Sequence, residues 1–501
     1  MNNQFAMYKN TLIFFLFVSS FTFQLRAQNN HSTQIDSLLE VCHKRGIFNG
    51  NALVIKNDET IYRAEKGFTD GSKMKKLSEK SIFDIGSISK EFNAVGIMML
   101  KEKGLLSLND KLSKYQLDLP DWSNKISIKH LLQYSSGLPQ VNWEAVHSDS
   151  DVYKRLQNLK ALKFEPGTGY LYSNNNIFLQ KRIIEKITGK TFDQFLKQDI
   201  LQPIGMNSSV IDHQYGNPDF VRGFNSKGIN DKKLELKMSG WVCPSIGDLA
   251  KWGNQLLSYN IISKESLYQL FEAYSKESQS ALGNGTFSNK ELTSYVHHGS
   301  SLSYESIIYY DVQEKVMIVL MTNSKSLKIG DIAEAIMHIV KNENYEVPQK
   351  SVYLTIREKT YQNVDEGIAY YKSLKKSNFD TYNFSNQWEL ARLSYKLFEK
   401  NQSKSAIKIL ELLVSELPKK SEETIAYLGG RILNENQIDT SILIYQLMIK
   451  EFPSGKSYSG LGDAYYKDKQ FKKALFNYKK SLELEPENEK SKEMILKIEK
   501  M

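Results

Sequence analysis

The chain has 501 residues, which is too long for one ordinary domain and favours two or three. Hydrophobic residues make up 41% of it and charged residues 25%, a composition typical of a folded globular protein that excludes a collagen-like or disordered chain. The formal net charge is +9, but the lysines are mixed with glutamates and form no concentrated basic run. Dispersed lysine indicates a solvated surface, so we do not expect nucleic-acid binding.

The first 27 residues have the pattern of a secretory signal peptide. Lys9 precedes a short apolar run over residues 11–23, and the small residue Ala27 offers a cleavage site before polar Gln28. A membrane anchor is the alternative, but the run has about 13 residues where a spanning helix needs about 20. We therefore expect cleavage after Ala27 and no stable membrane span in the mature chain. We expect an exported, periplasmic protein, with secretion from the cell as the alternative.

The two cysteines, Cys42 and Cys243, leave their redox state open. An oxidising compartment would permit a disulfide, but sequence alone does not show that the two Cα atoms come within bridging distance, and two free buried thiols fit equally well. No Cys/His spacing resembles a metal-binding motif, and the adjacent His297 and His298 suit one metal ion poorly. We expect neither a metal nor another cofactor.

Residues 30–345 carry mixed strand and helix patterns and are expected to form one domain. The segments NALVIKND and ETIYRAEKGF predict two strands joined by a turn at Asn57-Asp58. Near the end of the region, YESIIYYDVQEKVMIVLMTNS predicts a second pair of strands around a polar turn. Helical segments lie between them, including FNAVGIMMLKEKG, which would end at Gly104. The sequence therefore predicts an α+β domain in which helices flank one antiparallel sheet and form a helical subdomain.

After about residue 350 the strand patterns stop and amphipathic helices follow one another. Pro418, Pro453 and Pro486 recur at about the 34-residue period of tetratricopeptide repeats. In the last unit, the small residue Gly462 would let two helices cross closely while aromatic side chains fill the groove between neighbours. An irregular helical bundle is the alternative, but spacing that is matched in three successive units argues against it.

This part of the chain resembles tetratricopeptide repeat proteins. We expect a helical linker over residues 346–385 and an all-α solenoid of about three repeats over residues 386–501. Stacked repeats of this kind present a concave face that commonly binds another protein. Docking of a protein partner, whose identity the sequence does not give, is therefore the expected role of the C-terminal region.

The stretch FDIGSISKEF places Ser87 near the predicted start of a helix and Lys90 one turn later. Positions three apart share a helix face, so the lysine would lie beside the serine hydroxyl. A serine hydroxyl needs a neighbouring base to act as a nucleophile, and a lysine can serve when burial and nearby cations lower its pKa. A solvated surface pair is the alternative, because the spacing is common in a lysine-rich chain. It recurs at Ser72/Lys75, Ser373/Lys376 and Ser405/Lys408.

Two later segments carry further candidate residues. Tyr172 and Asn174 lie in the loop sequence YSN before a predicted helix, where they could move a proton and hold a substrate amide. Ser and Asn are also good helix caps, and both interpretations can hold together. His297 and Gly299 lie in HHG at the start of an apparent strand, where they could donate to an anion and admit a substrate backbone. An ordinary exposed strand end is the other interpretation of this pair of histidines.

Together these segments resemble the penicillin-recognising serine hydrolases, whose three motifs are S-x-x-K, Y-x-N and K/H-T-G. The motifs are matched here, in order, by SISK (87–90), YSN (172–174) and HHG (297–299). ISIKHLLQYSSGLP at 126–139 and LQPIGM at 201–206 also resemble stretches of that superfamily, which includes class C β-lactamases, D-Ala-D-Ala carboxypeptidases and related esterases. The resemblance covers about residues 35–340 and implies the serine β-lactamase/DD-peptidase-like fold.

The resemblance implies a catalytic role for several matched residues. Ser87 would be the acylated nucleophile, and Lys90 would accept or relay its proton. Tyr172 would pass a proton to the leaving group and later activate water. The backbone N–H groups of Ser87 and Ser300 would form the oxyanion hole, in which one donor typically contributes about 10²–10³ in rate.

Substrate-binding roles are implied for the remaining matched residues. Asn174 would bind the substrate's amide side chain, and His297, beside Gly299, would help to hold a substrate carboxylate. The third motif departs from that of class C β-lactamases, because His297 replaces the usual lysine and His298 the usual threonine. Histidine is only partly charged near neutral pH, so we do not expect efficient β-lactam turnover to be the main activity.

The sequence therefore predicts an exported serine hydrolase that forms an acyl-enzyme at Ser87. Its substrate would be a small D-amino-acid peptide or an ester, with β-lactams as further candidates. A class C-like β-lactamase is one alternative. A catalytically weak penicillin-binding or interaction protein, which works mainly through its repeat region, is the other.

Overall fold

The computed structural model describes residues 30–234, 238–275, 278–435 and 437–500. The segment interpreted as a signal peptide lies outside these residues. Within the described ranges, no helix is both long and apolar enough to cross a membrane. The chain divides between Pro348 and Gln349 into two compact units, of which the first is α+β and the second is helical.

A six-stranded antiparallel sheet lies at the centre of the first unit, with the strand order β2-β1-β8-β7-β6-β5. Its strands are β1 (Gly50–Lys56), β2 (Glu59–Lys66), β5 (Asn284–Ser288), β6 (Glu291–Ser301), β7 (Tyr304–Asp311) and β8 (Val316–Thr322), and a second small sheet joins β3 (Val210–Ile211) to β4 (Val242–Cys243). Both predicted strand pairs are confirmed. The β1–β2 turn is formed by Asn57 and Asp58, whose positive φ angles of 51° and 63° suit a tight hairpin.

Helices cover both faces of the large sheet and form the predicted helical subdomain. They are α1 (30–44), α2 (Lys90–Glu102), α3 (Ile128–Leu132), α4 (Asp149–Gln157), α5 (Asn174–Thr188), α6 (Phe192–Phe195), α7 (Ile246–Leu257), α8 (Lys264–Leu270) and α9 (Ile329–Val340). A π-helical turn, Leu196–Leu201, follows α6, and short 3₁₀ turns lie at Gly86–Ser89, Leu112–Tyr115, Asp121–Asn124 and Trp143–Ala145. The α+β prediction is thus confirmed.

Side chains that alternate along the strands divide the core in two. In β8, Val319 packs into the larger cluster with the helical subdomain, whereas Ile318 and Leu320 pack into a second cluster with α1 and α9. The larger cluster includes most of the buried face of α2, from Phe92 onward. The N-terminal end of α2 is therefore fixed between the sheet and the subdomain, and this is where the candidate site lies.

Strand β6 begins earlier than its sequence suggested. HHG was expected to open the strand, but β6 starts at Glu291, and the motif lies in its second half. The neighbouring strand β5 pairs with β6 only as far as Val296. Within the described part of the chain, no strand pairs with the stretch from His297 to Ser301 on that side. This open strand edge faces the serine segment.

Cys42 and Cys243 are both buried and not bonded to each other, so the free-thiol alternative is the one that the structure shows. Burial raises the pKa of the Cys42 thiol to about 12, although the charge of Arg45 lowers it slightly. Both thiols are fully buried and far from ionised near neutral pH, so neither is a candidate nucleophile.

The second unit consists of consecutive helices that pair as antiparallel neighbours. They are α10 (Val352–Gln362), α11 (Val364–Ser377), α12 (Gln387–Glu399), α13 (Ser403–Glu416), α14 (Pro418–Asn434), α15 (Ile438–Glu451), α16 (Gly455–Lys467), α17 (Phe471–Leu484) and α18 (Glu489–Glu499), with a 3₁₀ turn at Phe379–Thr381. The first two helices occupy the segment expected as a linker. The close crossing predicted at Gly462 is present, since a Cβ there would lie 2.7 Å from the ring of Tyr478.

Candidate active site

The serine lies on a tightly held turn just before α2. Ser87 is half-buried in the 3₁₀ turn, and the preceding Gly86 has a φ of +54°, a conformation that favours glycine. The Gly86 N–H donates to Asp84 Oδ1 at 2.7 Å. The other oxygen of Asp84 lies 2.8 Å from His213 Nε2, and both side chains are 1% exposed. A buried Asp–His pair therefore fixes the backbone that presents the serine.

Lys90 lies directly against the serine hydroxyl, as its spacing predicted. Its Nζ donates to Ser87 Oγ at 2.9 Å, and the residue is only 4% exposed. The rings of Tyr172 and Trp241 flank the same amine, with centroids 5.1 Å and 5.2 Å away. The distance to Ser87 Oγ is within the range in which a side chain can exchange a proton with its partner.

Tyr172 packs against a second tyrosine, Tyr134, with the two rings tilted by 35°. The ring centroids of Tyr172 and Tyr134 lie 4.5 Å apart. Burial raises the pKa of the Tyr134 phenol well above its usual value, and the nearby phenols of Tyr172 and Tyr170 raise it further. Tyr134 therefore stays a neutral phenol packed against Tyr172.

The YSN segment both caps α5 and faces the site. Ser173 is the cap, because its Oγ accepts from the Asn175 N–H at 3.2 Å and donates to the carbonyl of Pro139 at 2.5 Å. Asn174 is the half-buried first residue of α5. Its side chain makes no hydrogen bond to any other residue that the structure describes. The cap is thus Ser173, and it leaves the side chain of the adjacent Asn174 unused by the helix.

Strand β6 packs so closely on the serine turn that glycine is required on both sides. A Cβ on Gly86 would clash with the backbone of Ser300, and a Cβ on Gly299 would clash with the carbonyl oxygen of Ile85. The Ser306 hydroxyl donates to the same Ile85 oxygen at 2.8 Å. This packing brings the Ser300 N–H next to the turn that carries Ser87.

His297 is buried and hydrogen-bonded on both ring nitrogens. It is 2% exposed, its Nδ1 lies 2.5 Å from Glu91 Oε1, and its Nε2 lies 3.3 Å from the side-chain amide of Gln279. The neighbouring His298 lies on the opposite face of the strand, with its side chain 45% exposed and its Nε2 3.3 Å from Glu305 Oε1. The two histidines therefore have different surroundings.

The structure brings most of the predicted residues together. Ser87 and Lys90 are in contact, Lys90 lies against Tyr172, and the Gly299–Ser300 backbone lies against the serine turn. His297 reaches this group through Glu91, the residue after Lys90. Among the described residues, no cluster of three or more histidine, cysteine or acidic side chains is arranged to bind a metal ion.

Several residues of the site were not singled out from the sequence, among them Asp84, Glu91, Trp241 and Gln279. Asp84 and Glu91 flank the serine motif, but Glu91, an acidic residue in the first turn of α2, is already explained by the helix dipole. The other two lie more than a hundred residues away along the chain, and nothing in their local sequence predicts that they reach the site.

The comparison with protein families matches both parts of the chain. Residues 34–338 match the family model described as beta-lactamase, and residues 455–488 match that of the tetratricopeptide repeat. Penicillin-binding protein 4* of Bacillus subtilis is 25% identical over 359 residues, which cover 64% of this chain and 79% of the relative. Protein flp of Staphylococcus aureus strain COL is 25% identical over 343 residues, which cover 64% and 69%.

Solved structures support the same fold. The octameric penicillin-binding protein homologue from Pyrococcus abyssi has a TM-score of 0.54 at 23% identity, over 66% of this chain and 81% of its own. The penicillin-binding protein from Bacillus halodurans has a TM-score of 0.52 at 21% identity, over 60% and 98%. Since the family model matches well over half of it, the chain belongs to the beta-lactamase family, with a tetratricopeptide repeat in its C-terminal unit.

Proposed function

We propose that this protein is an exported serine hydrolase that forms an acyl-enzyme at Ser87 and acts on a small D-amino-acid peptide or an ester. The contact between Lys90 Nζ and Ser87 Oγ carries the proposal. Lys90 is 4% exposed and bonds to a half-buried serine, at a place where four segments of the chain meet. A buried lysine in such a place has no evident structural role, which favours a catalytic one.

The geometry supports a stepwise acyl transfer. Ser87 Oγ attacks the substrate carbonyl, and its proton passes to the amine nitrogen of Lys90. The oxyanion that forms accepts hydrogen bonds from the N–H groups of Ser87 and Ser300, a role that the close packing of β6 on the serine turn supports. Tyr172, which lies against Lys90, passes a proton to the leaving group. Water then attacks the acyl-enzyme and the same groups return the proton to Ser87.

The remaining assignments complete the proposal. Asn174 binds the amide of the acyl group, and its side chain is available because Ser173 provides the helix cap. The apolar N-terminal segment with its small residue at Ala27 supports cleavage there and export, to the periplasm in the first instance. The catalytic domain comprises residues 30–345, and the helical unit after it, including about three repeats over 386–501, binds a protein partner.

One alternative function has an observation in its favour. His297 is buried and both of its nitrogens are occupied, so it is poorly placed to anchor a substrate carboxylate in the way the resemblance implied. A catalytically weak interaction protein, whose main role is carried by the repeat unit, would tolerate that arrangement. A class C-like β-lactamase would not, because β-lactam substrates carry a carboxylate.

The test is a time course of the intact protein mass after mixing with benzylpenicillin, with Ser87→Ala in parallel. A lasting adduct of one penicillin on the wild type alone supports a D-peptidase, in which deacylation is slow. A transient adduct with hydrolysed drug indicates a β-lactamase. If there is no adduct, hydrolysis of a simple aryl ester by the wild type but not by Ser87→Ala identifies an esterase. Failure of both assays would contradict the proposal and leave the binding protein.

A further inference from the structure

Strand β6 carries His297 and His298, and the amine of Lys325 donates to Ser300 on the same strand. A buried carboxylate lies near each of these three basic groups. Glu91 and Glu305 are both 0% exposed. They lie on opposite faces of the strand, Glu91 beside His297 and Glu305 beside His298. Charged carboxylates are rarely buried unless they are paired, so each of them marks a cation or a set of donors that it balances.

Glu91 is enclosed by donors from three directions. Its Oε1 accepts from the hydroxyl of Tyr295 and from His297 Nδ1, and its Oε2 accepts from Trp252 Nε1 at 2.6 Å. Because Nδ1 of His297 points at Glu91, Nε2 is the one remaining ring nitrogen, and the side-chain amide of Gln279 lies against it. When the ring is protonated, the charge of Glu91 cancels it.

Glu305 balances the positive charge of basic side chains on the other face of strand β6. Its Oε2 accepts from the N–H groups of Ser326 and Leu327 at 3.0 Å and 2.9 Å. Burial alone would raise its pKa, but the hydrogen bond and charge of His298, the Leu327 N–H and the charge of Lys325 outweigh burial and hold the pKa below its usual value. Lys325, whose Nζ donates to Ser300 Oγ, therefore also faces a negative charge.

The balance of these charges decides what the open strand edge can bind. When His297 and His298 are both neutral, two carboxylates, Glu91 and Glu305, face one cation beside the strand, Lys325. Even with both rings protonated, every cation beside the strand has a buried carboxylate as a neighbour. The remaining basic side chain of the site, Lys90, lies against Ser87 and serves the nucleophile. A substrate carboxylate laid along this edge would lose its water without meeting an unbalanced positive charge.

We infer that the site selects acyl donors whose leaving side carries no carboxylate, such as neutral esters or amides that are not C-terminal. The inference rests on the proposed acyl-enzyme chemistry and narrows its substrate. It favours an ester, or a peptide bond within a chain, over the C-terminal D-residue that a carboxypeptidase removes. In this account Glu91 is a positioning and charge-setting residue that acts through His297.

The test compares two esters of one N-acylglycine that differ only in the leaving group, phenol in one and 3-carboxyphenol in the other. A carboxylate that meets an unbalanced cation gains roughly 10- to 100-fold in kcat/KM. We expect the wild type to hydrolyse the carboxylated ester no more than about threefold faster than the neutral one. A Ser87-dependent preference for the carboxylated ester beyond that range overturns the inference and leaves the hydrolase proposal standing. If neither ester is hydrolysed in a Ser87-dependent way, the inference fails, and the benzylpenicillin adduct then decides the hydrolase proposal.

Glu91→Gln provides the second readout. Removing the negative charge beside His297 should shift the ratio of the two kcat/KM values toward the carboxylated ester by about fivefold or more. Glu291→Gln is the matched control, because it removes one charge from the exposed far end of the same strand and should leave the ratio unchanged. A folded, active Glu91→Gln protein with an unchanged ratio contradicts the inference. If that variant does not fold, the wild-type ratio alone decides.

Discussion

Ser87/Lys90 and Ser405/Lys408 have the same spacing and entirely different surroundings. Lys90 is 4% exposed and its amine donates to Ser87. The side chain of Lys408, on α13, is 48% exposed, and its amine bonds to both carboxylate oxygens of Asp365, at 2.8 Å and 2.9 Å. Three-residue spacing puts a serine and a lysine on one helix face, but the elements packed against that face decide which partner the lysine takes.

The origin of these neighbours differs between the two regions. In the second unit the partner of Lys408 comes from a nearby helix, as in any stack of hairpins. The neighbours of Lys90 come from distant parts of the chain. Trp241 covers its amine, and the Val242 N–H donates to Ser89 Oγ at 2.7 Å. The first region brings together segments of the chain that are about 150 residues apart, and this packing isolates its lysine from water.

Replacing the two serines should give the sharpest contrast. Ser87→Ala removes the proposed nucleophile and should lower kcat for an aryl ester by about 10³-fold or more. Ser405→Ala, the control with the same spacing to a lysine, should leave turnover unchanged. Steady-state kinetics of the two purified variants provide the measurement. Equal activity of Ser87→Ala and the wild type would show that the site is not built on this serine.

Replacing the two lysines should give the next largest difference. Lys90→Met keeps the length of the side chain and removes the proton acceptor, so kcat should fall by about 10²–10⁴-fold. Lys408→Met removes an exposed ion pair, which is worth little, and should change neither kcat nor stability measurably. A Lys90→Met protein that retains wild-type turnover would mean that another group takes the proton from Ser87.

Glycine substitutions test the packing of β6 on the serine turn. Gly86→Ala would place a Cβ against the backbone of Ser300 at a φ of +54°, so it should cost about 1–3 kcal/mol of stability and disturb the oxyanion hole. Gly104→Ala also has a positive φ, +69°, but its Cβ would meet nothing within 4 Å. Ester kinetics should therefore show a loss of activity for Gly86→Ala only, and denaturant melts should measure its loss of stability. Normal kcat in Gly86→Ala would contradict the proposed oxyanion hole.

A third lysine, Lys181, isolates the effect of burial without a serine partner. Burial lowers its pKa to about 8, although Asp149 and Asp212 oppose the shift. The unfolded chain, with an ordinary lysine, holds this proton up to about pH 10.5, whereas the folded protein releases it near pH 8. The unfolded state thus binds more protons in that window, and the contribution of Lys181 to stability should rise by about 2 kcal/mol between pH 8 and 10.

Denaturant unfolding at several pH values measures this contribution. Lys181→Met should remove the rise between pH 8 and 10, and Lys408→Met, at an exposed position, should retain it. An identical pH profile for wild type and Lys181→Met would show that burial leaves that lysine unaffected, and would weaken the argument that isolation from water distinguishes Lys90 from Lys408.

The smallest effect is expected from removing the second unit. Truncation after Pro348 retains the contacts of Arg45 with the carbonyls of Val347 and Pro348. Ester hydrolysis by the truncated chain should stay within about threefold of the full chain, because separate compact units commonly keep their own cores. A truncated protein that is folded, by circular dichroism, and inert would show that the repeats help to form the site.

The sequence predicted the elements that depend on local patterns. The β1–β2 hairpin follows from alternation around Asn57-Asp58, and the crossing at Gly462 from the repeat period. The contact between Ser87 and Lys90 follows from helical spacing. The sequence could not predict that Glu91 bonds to His297, because that hydrogen bond joins residues 206 apart and depends on how β6 packs on α2. The start of β6 was misplaced because its first half, ELTSYV, does not alternate strictly between apolar and polar residues.

The central claim is that Lys90 activates Ser87 in the resting protein. A small alkyl fluorophosphonate tests it directly, because the reagent needs an activated serine and little else from the pocket. Intact mass and peptide mapping should show one label, on Ser87, in the wild type and in Ser405→Ala. Ser87→Ala should remain unlabelled, and Lys90→Met should react at least about 10²-fold more slowly. An unlabelled wild type, or a label of equal rate in Lys90→Met, would contradict the account.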